Sequence, residues 1–323
     1  MNPISARHVW RVMTFGTPPQ SAPECCSYNL STASGINSAL QMLTSARLCG
    51  VGKHSYAKTR FRINATLGWT PDLSSEYLLQ THSLTKDFKG FVAVRDVSLK
   101  VRRGSIHALI GPNGAGKTTV FNLLTKFLSP TSGTIHYERH DITRESPAHI
   151  ARRGIVRSFQ ISAVFPHMTV LENVRIGMQR RLRNSFHFWR SDSTLKQLDD
   201  HVRELLRDVN LEPYANMIAV ELPYGRKRAL EIACTLALEP ALLLLDEPTQ
   251  GMGHEDVDSV RNLIRRVAVG RTVLMVEHNM RIVADLCDTI TVLQRGSVLA
   301  EGTYADVSRN PQVIEAYMGT AHA

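Results

Sequence analysis

From Tyr77 onward the chain runs in short blocks in which polar residues separate apolar ones: 78–84, 91–94, then Val97, Leu99 and Val101. Such alternation predicts half-buried antiparallel strands. Arg102-Arg103-Gly104 reads as a turn, after which 106–110, 241–245 and 272–276 are nearly unbroken apolar runs. Each is followed by a polar turn and a helix-like stretch, the first reaching residue 127, and buried strands alternating with helices predict a parallel sheet covered on both faces. Between about 162 and 238 the period turns helical, over 170–178, 195–209 and 224–238, as an inserted subdomain would require. Residues 291–293 and 297–299 flank Arg295-Gly296 as a hairpin, and 311–318 predict a final helix. The expected fold class is therefore α/β: a mainly parallel core sheet, an antiparallel β subdomain and an inserted α-helical subdomain.

Composition refines this picture at one end. The 323 residues carry a net charge of +9, but residues 1–70 hold seven basic side chains against Glu24 alone, and the remaining 253 carry 31 basic and 28 acidic ones. The expected domain, 77–320, is nearly balanced and argues against a nucleic-acid clamp. Residues 1–76 form a basic N-terminal extension, open to three readings: a disordered tail, a misplaced start site, or a targeting segment. Five cysteines, at 25, 26, 49, 234 and 287, lack zinc-ligand spacing and read as reduced thiols, with Cys234 and Cys287 expected in the core. No apolar run approaches the ~20 residues that span a bilayer.

The chemistry starts where the first buried run ends. Gly111-Pro112-Asn113-Gly114-Ala115-Gly116-Lys117-Thr118-Thr119 matches a phosphate-binding loop between a strand and a helix. Small residues let successive N–H groups turn inward on the β- and γ-phosphates, and glycine supplies the positive φ values. Lys117 would meet the β/γ oxygens, Thr118 would offer a hydroxyl to Mg²⁺, and the helix would aim its positive end at the anion. A nucleoside triphosphate is the expected ligand.

Because ligands bind beyond the carboxyl ends of parallel strands, Asp246-Glu247 and His278 should join the loop at one sheet edge. Asp246 would hold Mg²⁺ through water, Glu247 would polarise an attacking water, and His278 would contact the γ-phosphate and orient that water. Gln160, at the junction of the sheet and helical parts, would ligate Mg²⁺ or water and link nucleotide occupancy to helix movement. Pro223-Tyr224-Gly225-Arg226 opens a helix whose amide end could meet an anion.

Phosphate loop, glutamine, helix start, Asp-Glu strand and strand-end histidine, in this order, resemble the ATP-binding domain of ABC transporters. Finer features, 165–174, Leu230-Glu231-Ile232-Ala233, 298–303, Asn310-Pro311 and Glu315-Ala316-Tyr317, are similar to the ATP-binding subunits of branched-chain amino acid importers. The resemblance implies a P-loop NTPase fold of ABC type and ATP hydrolysis with Mg²⁺. It also implies a second ATPase subunit as dimer partner, membrane permeases, and indirectly a substrate-binding protein, at the cytoplasmic face of the membrane. It pairs Phe88 with the aromatic residue that stacks on adenine, Phe91 competing and a core role open for both. Each ATP would be shared, so that Pro223, Tyr224, Gly225 and Arg226 act in trans on the partner's nucleotide. Where this family's usual helix start reads Leu-Ser-Gly-Gly-Gln, Pro223 replaces serine and supplies neither hydroxyl nor N–H; Arg226 would return positive charge there. An exporter ATPase or a soluble ABC ATPase is the rival reading.

Overall fold

The computed structural model describes residues 76–158, 164–179 and 198–318. In chain order they form β1 (Tyr77–Phe88), β2 (Phe91–Val97), β3 (Lys100–Arg102), β4 (Ile106–Ile110), α1 (Lys117–Leu124), β5 (Ser132–Tyr137) and β6 (His140–Asp141). Next come α2 (Pro147–Arg153), β7 (Ile155–Ser158), α3 (Val170–Met178), α4 (Asp199–Asp208), α5 (Tyr224–Leu236), β8 (Leu242–Asp246) and α6 (His254–Val267). The last are β9 (Thr272–Val276), α7 (Met280–Leu286), β10 (Thr289–Gln294), β11 (Ser297–Gly302), α8 (Tyr304–Ser308) and α9 (Pro311–Met318). Most of the basic extension and Gln160 lie outside the described residues.

The core sheet has the order β11-β10-β4-β9-β8-β7. All its pairings are parallel except that of β11, which returns from β10 as a hairpin. Strand period divides its side chains between two cores. Leu243, Leu245, Val273 and Met275 pack with the helices that follow β7, whereas Leu242, Leu244, Leu274 and Val276 pack with α1 and the second sheet. Burial on both faces explains why these strands read as unbroken apolar runs. The second sheet is antiparallel, β1 pairing with β2, β3 and β5, and β5 with β6. Both sheets follow the expected α/β class.

The inserted helices share one apolar core with the first face. Val170 and Val174 of α3, Val202 and Leu206 of α4, and Leu230 and Ala233 of α5 are all buried there. α3 opens on a capping box, the Thr169 hydroxyl accepting the Glu172 N–H while the Glu172 carboxylate accepts the Thr169 N–H. The described part of the expected 195–209 helix is α4, and α5 stops at Leu236, two residues short of the expectation.

Some elements depart from the sequence reading. α1 ends at Leu124 rather than reaching 127, because Thr125 bonds back to the Phe121 carbonyl at 2.8 Å and Lys126 turns left-handed at φ 62°. β5, β6 and α2 carry no strong apolar period. β5 gains its ladder from β1, with Leu79 opposite Tyr137 and Thr81 opposite Ile135. α2 is set by its ends, a Ser146 cap followed by Pro147 and a left-handed Gly154 at φ 95°.

Candidate nucleotide site

β4 delivers the chain into a loop whose backbone calls for glycine at three positions. Gly111, Gly114 and Gly116 have φ of 149°, 77° and 101°. A Cβ on Gly111 would lie 2.2 Å from the Leu293 carbonyl oxygen, and one on Gly116 would lie 2.6 Å from that of Ala93. Gly116 caps α1 without any side-chain hydrogen bond, so the helix's positive end opens into the loop. Pro112 and Thr119 are half-buried, Ala115 is buried, and Asn113, Gly114 and Thr118 are exposed. The Lys117 ammonium donates to the carbonyls of Gly111 at 2.7 Å and Pro112 at 3.0 Å. Burial lowers its pKa below the ordinary lysine value, while the negative charges of Glu247 and Asp246 oppose that shift.

Asp246 is the last residue of β8 and is buried. Its carboxylate pairs with the Arg157 guanidinium, which also donates to Asn122 Oδ1 at 2.6 Å and stacks on Phe121, 5.6 Å from the ring centroid. Glu247 turns left-handed at φ 47° and donates its N–H to the Val276 carbonyl at 2.9 Å. A charged residue in that region is a local strain of the kind that gathers at reacting centres. Its Oε1 lies 2.7 Å from His278 Nε2, the histidine side chain 43% exposed and the glutamate 14%. Loop, Asp246, Glu247 and His278 thus meet at one edge of the sheet.

Three residues around this centre had no role in the sequence reading. Glu277 is buried and accepts from the Thr249 N–H and hydroxyl and from the N–H groups of His278 and Asn279. Arg228 is buried, pairs with Glu231 at 2.6 Å, and donates to the carbonyls of Asp246 at 3.1 Å and Pro248 at 3.3 Å. Arg157 is the third. A charged residue directly after a fully apolar strand, and an Arg–Glu pair three apart inside an apolar helix, were the available signals.

Phe88 and Phe91 face each other across a two-residue turn with Lys89 and Gly90 both at positive φ. They are 42% and 70% exposed, which removes the core role held open for them. Lys86 Nζ lies 5.1 Å from the Phe88 ring centroid. Pro223 is the N-cap of α5, which has no side-chain cap hydrogen bond. Tyr224 is exposed and donates to the Gln250 carbonyl at 3.1 Å, and a Cβ on Gly225 would lie 2.5 Å from Asp256 Oδ1. Arg226 stacks on Tyr214, 3.8 Å from its ring centroid, so its charge is held by an aromatic face of this chain. Cys234 and Cys287, expected in the core, are half-buried and pack against it, and burial pushes their thiols up to about 12.

The donors at this edge suit magnesium, a hard cation that takes one or two carboxylates plus substrate phosphates. The Thr118 hydroxyl and Asp246 carboxylate are oxygen donors of that kind. Among the described residues no three His, Cys, Asp or Glu side chains cluster to hold a metal alone, so the phosphates would complete the set.

Comparison with known proteins agrees with this geometry. Residues 94–250 match the ABC transporter family model, and 297–323 match that of the branched-chain amino acid ATP-binding cassette transporter. The high-affinity branched-chain amino acid transport ATP-binding protein BraF of Pseudomonas aeruginosa is 40% identical over 258 residues, covering 76% of this chain and all of BraF. LivG of Escherichia coli, of the same description, is 37% identical over 257 residues, again 76% of this chain and 100% of LivG. The ADP conformation of MJ1267, an ATP-binding cassette of an ABC transporter, superposes with a TM-score of 0.67 at 30% identity, covering 76% of this chain and 100% of that one. With the phosphate loop, Asp246, Glu247 and His278 at one sheet edge and relatives matched over their full length, the chain belongs to the ABC transporter family of ATP-binding proteins.

Proposed function

We propose that this chain is the ATP-hydrolysing subunit of an importer of branched-chain or related amino acids, working at the cytoplasmic face of the membrane. The observation that carries the reading is the 2.7 Å contact of His278 with Glu247, set beside a buried lysine and a phosphate loop in a chain of this family. The solute class comes from the relatives BraF and LivG.

In this reading the loop N–H groups from Pro112's successor to Thr119 cradle the phosphates, and Lys117 turns its ammonium to the β/γ oxygens. Phe88 stacks on adenine, with Phe91 as its neighbour across the turn. Glu247 takes the proton of the attacking water, and His278 holds the carboxylate in line and meets the γ-phosphate. Thr118, Asp246 and Gln160 would hold Mg²⁺, which would supply positive charge beside the phosphate oxygens. The start of α5 serves a second ATP-binding subunit, presenting Tyr224, Gly225 and Arg226 to its nucleotide, while Pro223 offers no donor.

The permease docks on the helical part. There 165–170 runs beside 217–220, with Val170 N–H to Met217 and Val220 N–H to Pro166. Phe165, Met217, Ile218 and Val220 are exposed along that strip, an apolar surface of the kind that marks a partner. Among the described residues no helix is long and apolar enough to cross a membrane. Binding of ATP draws the two ATPase subunits together, hydrolysis parts them, and the strip transmits the motion. A substrate-binding protein delivers the solute to the permease.

Glu247→Gln, assembled with the permeases, is expected to retain bound ATP and to lose turnover by about 10²–10⁴-fold. Leucine uptake into proteoliposomes should fall with it. Wild-type turnover in that variant overturns the catalytic assignment, and uptake indifferent to branched-chain amino acids overturns the solute class.

A further inference from the structure

The last strand in the order of the core sheet, β7, carries a charge beneath the helix that the phosphate loop opens. β7 runs parallel to β8, with Arg157 opposite Leu244 and Ser158 opposite Leu245. Strand period sets Arg157 on the face of Ile155, and Asp246 on the face of Leu242 and Leu244. Those three apolar side chains belong to the core that Phe121 and Leu124 of α1 help to build. The two charges therefore meet under α1 rather than in water, their side chains 9% and 3% exposed.

The guanidinium is gripped from both elements. Its Nη2 donates to Asp246 Oδ2, its Nη1 donates to Asn122 Oδ1 at 2.6 Å, and its carbon lies 5.6 Å from the Phe121 ring centroid. Phe121 is fully buried, and Asn122 follows it on α1, the helix that begins at Lys117. A planar fork held by two partners has one orientation. It takes Asp246 by Oδ2 and leaves Oδ1 to other ligands. An apolar pair would serve stability about as well as a buried ion pair. What the ions add is a fixed direction for the carboxylate at the end of β8.

We propose that Arg157 is a positioning residue for the metal-binding carboxylate: braced by α1, it grips Asp246 Oδ2 and so sets the rotation at which Oδ1 meets the hydration shell of the nucleotide's Mg²⁺. The inference rests on the nucleotide and magnesium reading above. It predicts a loss confined to the metal-loaded nucleotide, because the loop N–H groups and Lys117 receive phosphate without Asp246. Arg157→Lys keeps the positive charge and loses the planar fork that joins Asp246 to Asn122. Binding of β,γ-imido-ATP in excess Mg²⁺ should weaken by about three- to ten-fold, the worth of one hydrogen bond, while binding in excess EDTA stays within about twofold of wild type.

Asn122→Leu frees one side of the guanidinium, leaves its pairing with Asp246, and should show the same selective loss at about threefold. Ser158→Ala, the next residue of β7 and also buried, is the control and should change neither affinity. Calorimetric titration of the full-length wild-type chain and the three variants, with Mg²⁺ and with EDTA, decides the matter. A loss in Arg157→Lys that is absent, or equal in the two conditions, overturns the proposal, the latter by assigning Arg157 to general support of α1. If Arg157→Lys does not fold, Asn122→Leu decides by the same criteria. A wild-type chain that binds equally well with Mg²⁺ and with EDTA overturns the proposal together with the magnesium assignment, and one that binds in neither condition overturns the nucleotide reading as well.

Discussion

Glu277 Oε1 accepts two hydrogen bonds from Thr249, one from its N–H at 3.0 Å and one from its hydroxyl at 2.6 Å. Its other oxygen accepts from the His278 N–H at 2.9 Å and the Asn279 N–H at 3.1 Å. One buried carboxylate therefore ties the turn that follows Glu247 to the turn that carries His278. The Glu247–His278 distance is a product of this knot and of the Glu247 N–H bond to Val276.

Glu277→Gln places an amide N–H₂ where at least one partner is itself a donor. The expected result is a fall in kcat of about ten- to a hundred-fold, from loss of charged hydrogen bonds, with nucleotide affinity nearly unchanged. Steady-state ATPase kinetics of the assembled complex, with nucleotide titration of the chain, measure both. Unchanged kcat would show that Glu277 does not set the position of His278.

Arg228 and Glu231 form a buried pair that also braces the backbone of Asp246 and Pro248. Arg228→Met leaves the Glu231 charge buried without this partner and should destabilise the chain by about 3–5 kcal/mol. The double change Arg228→Met with Glu231→Leu should recover most of that loss, since an apolar pair fits an apolar site. It should not recover full ATPase turnover, because the two carbonyls lose their brace. Denaturant midpoints of the three proteins, followed by turnover of the double variant, separate stability from alignment.

His107 lies inside β4 with Nε2 2.8 Å from the Thr291 hydroxyl, which donates to Glu301 at 2.8 Å. Burial lowers its pKa from 6.5 to about 4. The folded chain thus keeps this imidazole neutral where the unfolded chain protonates it. Stability from this group is complete above pH 6.5, falls as pH drops toward 4, and totals about 3 kcal/mol across that window. Urea titrations from pH 7.5 to 4.5 should show the slope, and His107→Gln should flatten it. An equal slope in that variant would assign the acid sensitivity to other groups.

Much of this architecture was readable before any coordinates. β8 and β9 announce themselves because both faces are buried, and α9 matches its expected span of Pro311–Met318. β5 was hidden because Ser-Gly-Thr-Ile-His-Tyr owes its strand to pairing with β1 rather than to composition. The loop, Asp246, Glu247 and His278 were legible through motif and order, which the topology turns into proximity. Glu277, Arg228 and Arg157 were not. Their partners lie 28, 18 and 89 residues away at Thr249, Asp246 and again Asp246, so their work exists only after folding. Arg226, whose position suggested an anion contact in trans, stacks on Tyr214 within this chain, a partner that the sequence did not announce.

Two glycines converge on a single carbonyl, that of Ala93 in β2: a Cβ would stand 2.6 Å away on Gly116 and 2.7 Å away on Gly296. The neighbouring Arg95 N–H adds a 2.7 Å bond to the Gly296 carbonyl. The hairpin that displays Phe88 and Phe91 is continuous with β2, so main chain lies directly against main chain between the aromatic tip and the phosphate loop. That makes the pair a caliper of fixed opening. With Phe88 as the proposed adenine platform, the gap from the aromatic tip to the phosphate loop is set by peptide geometry rather than by side chains.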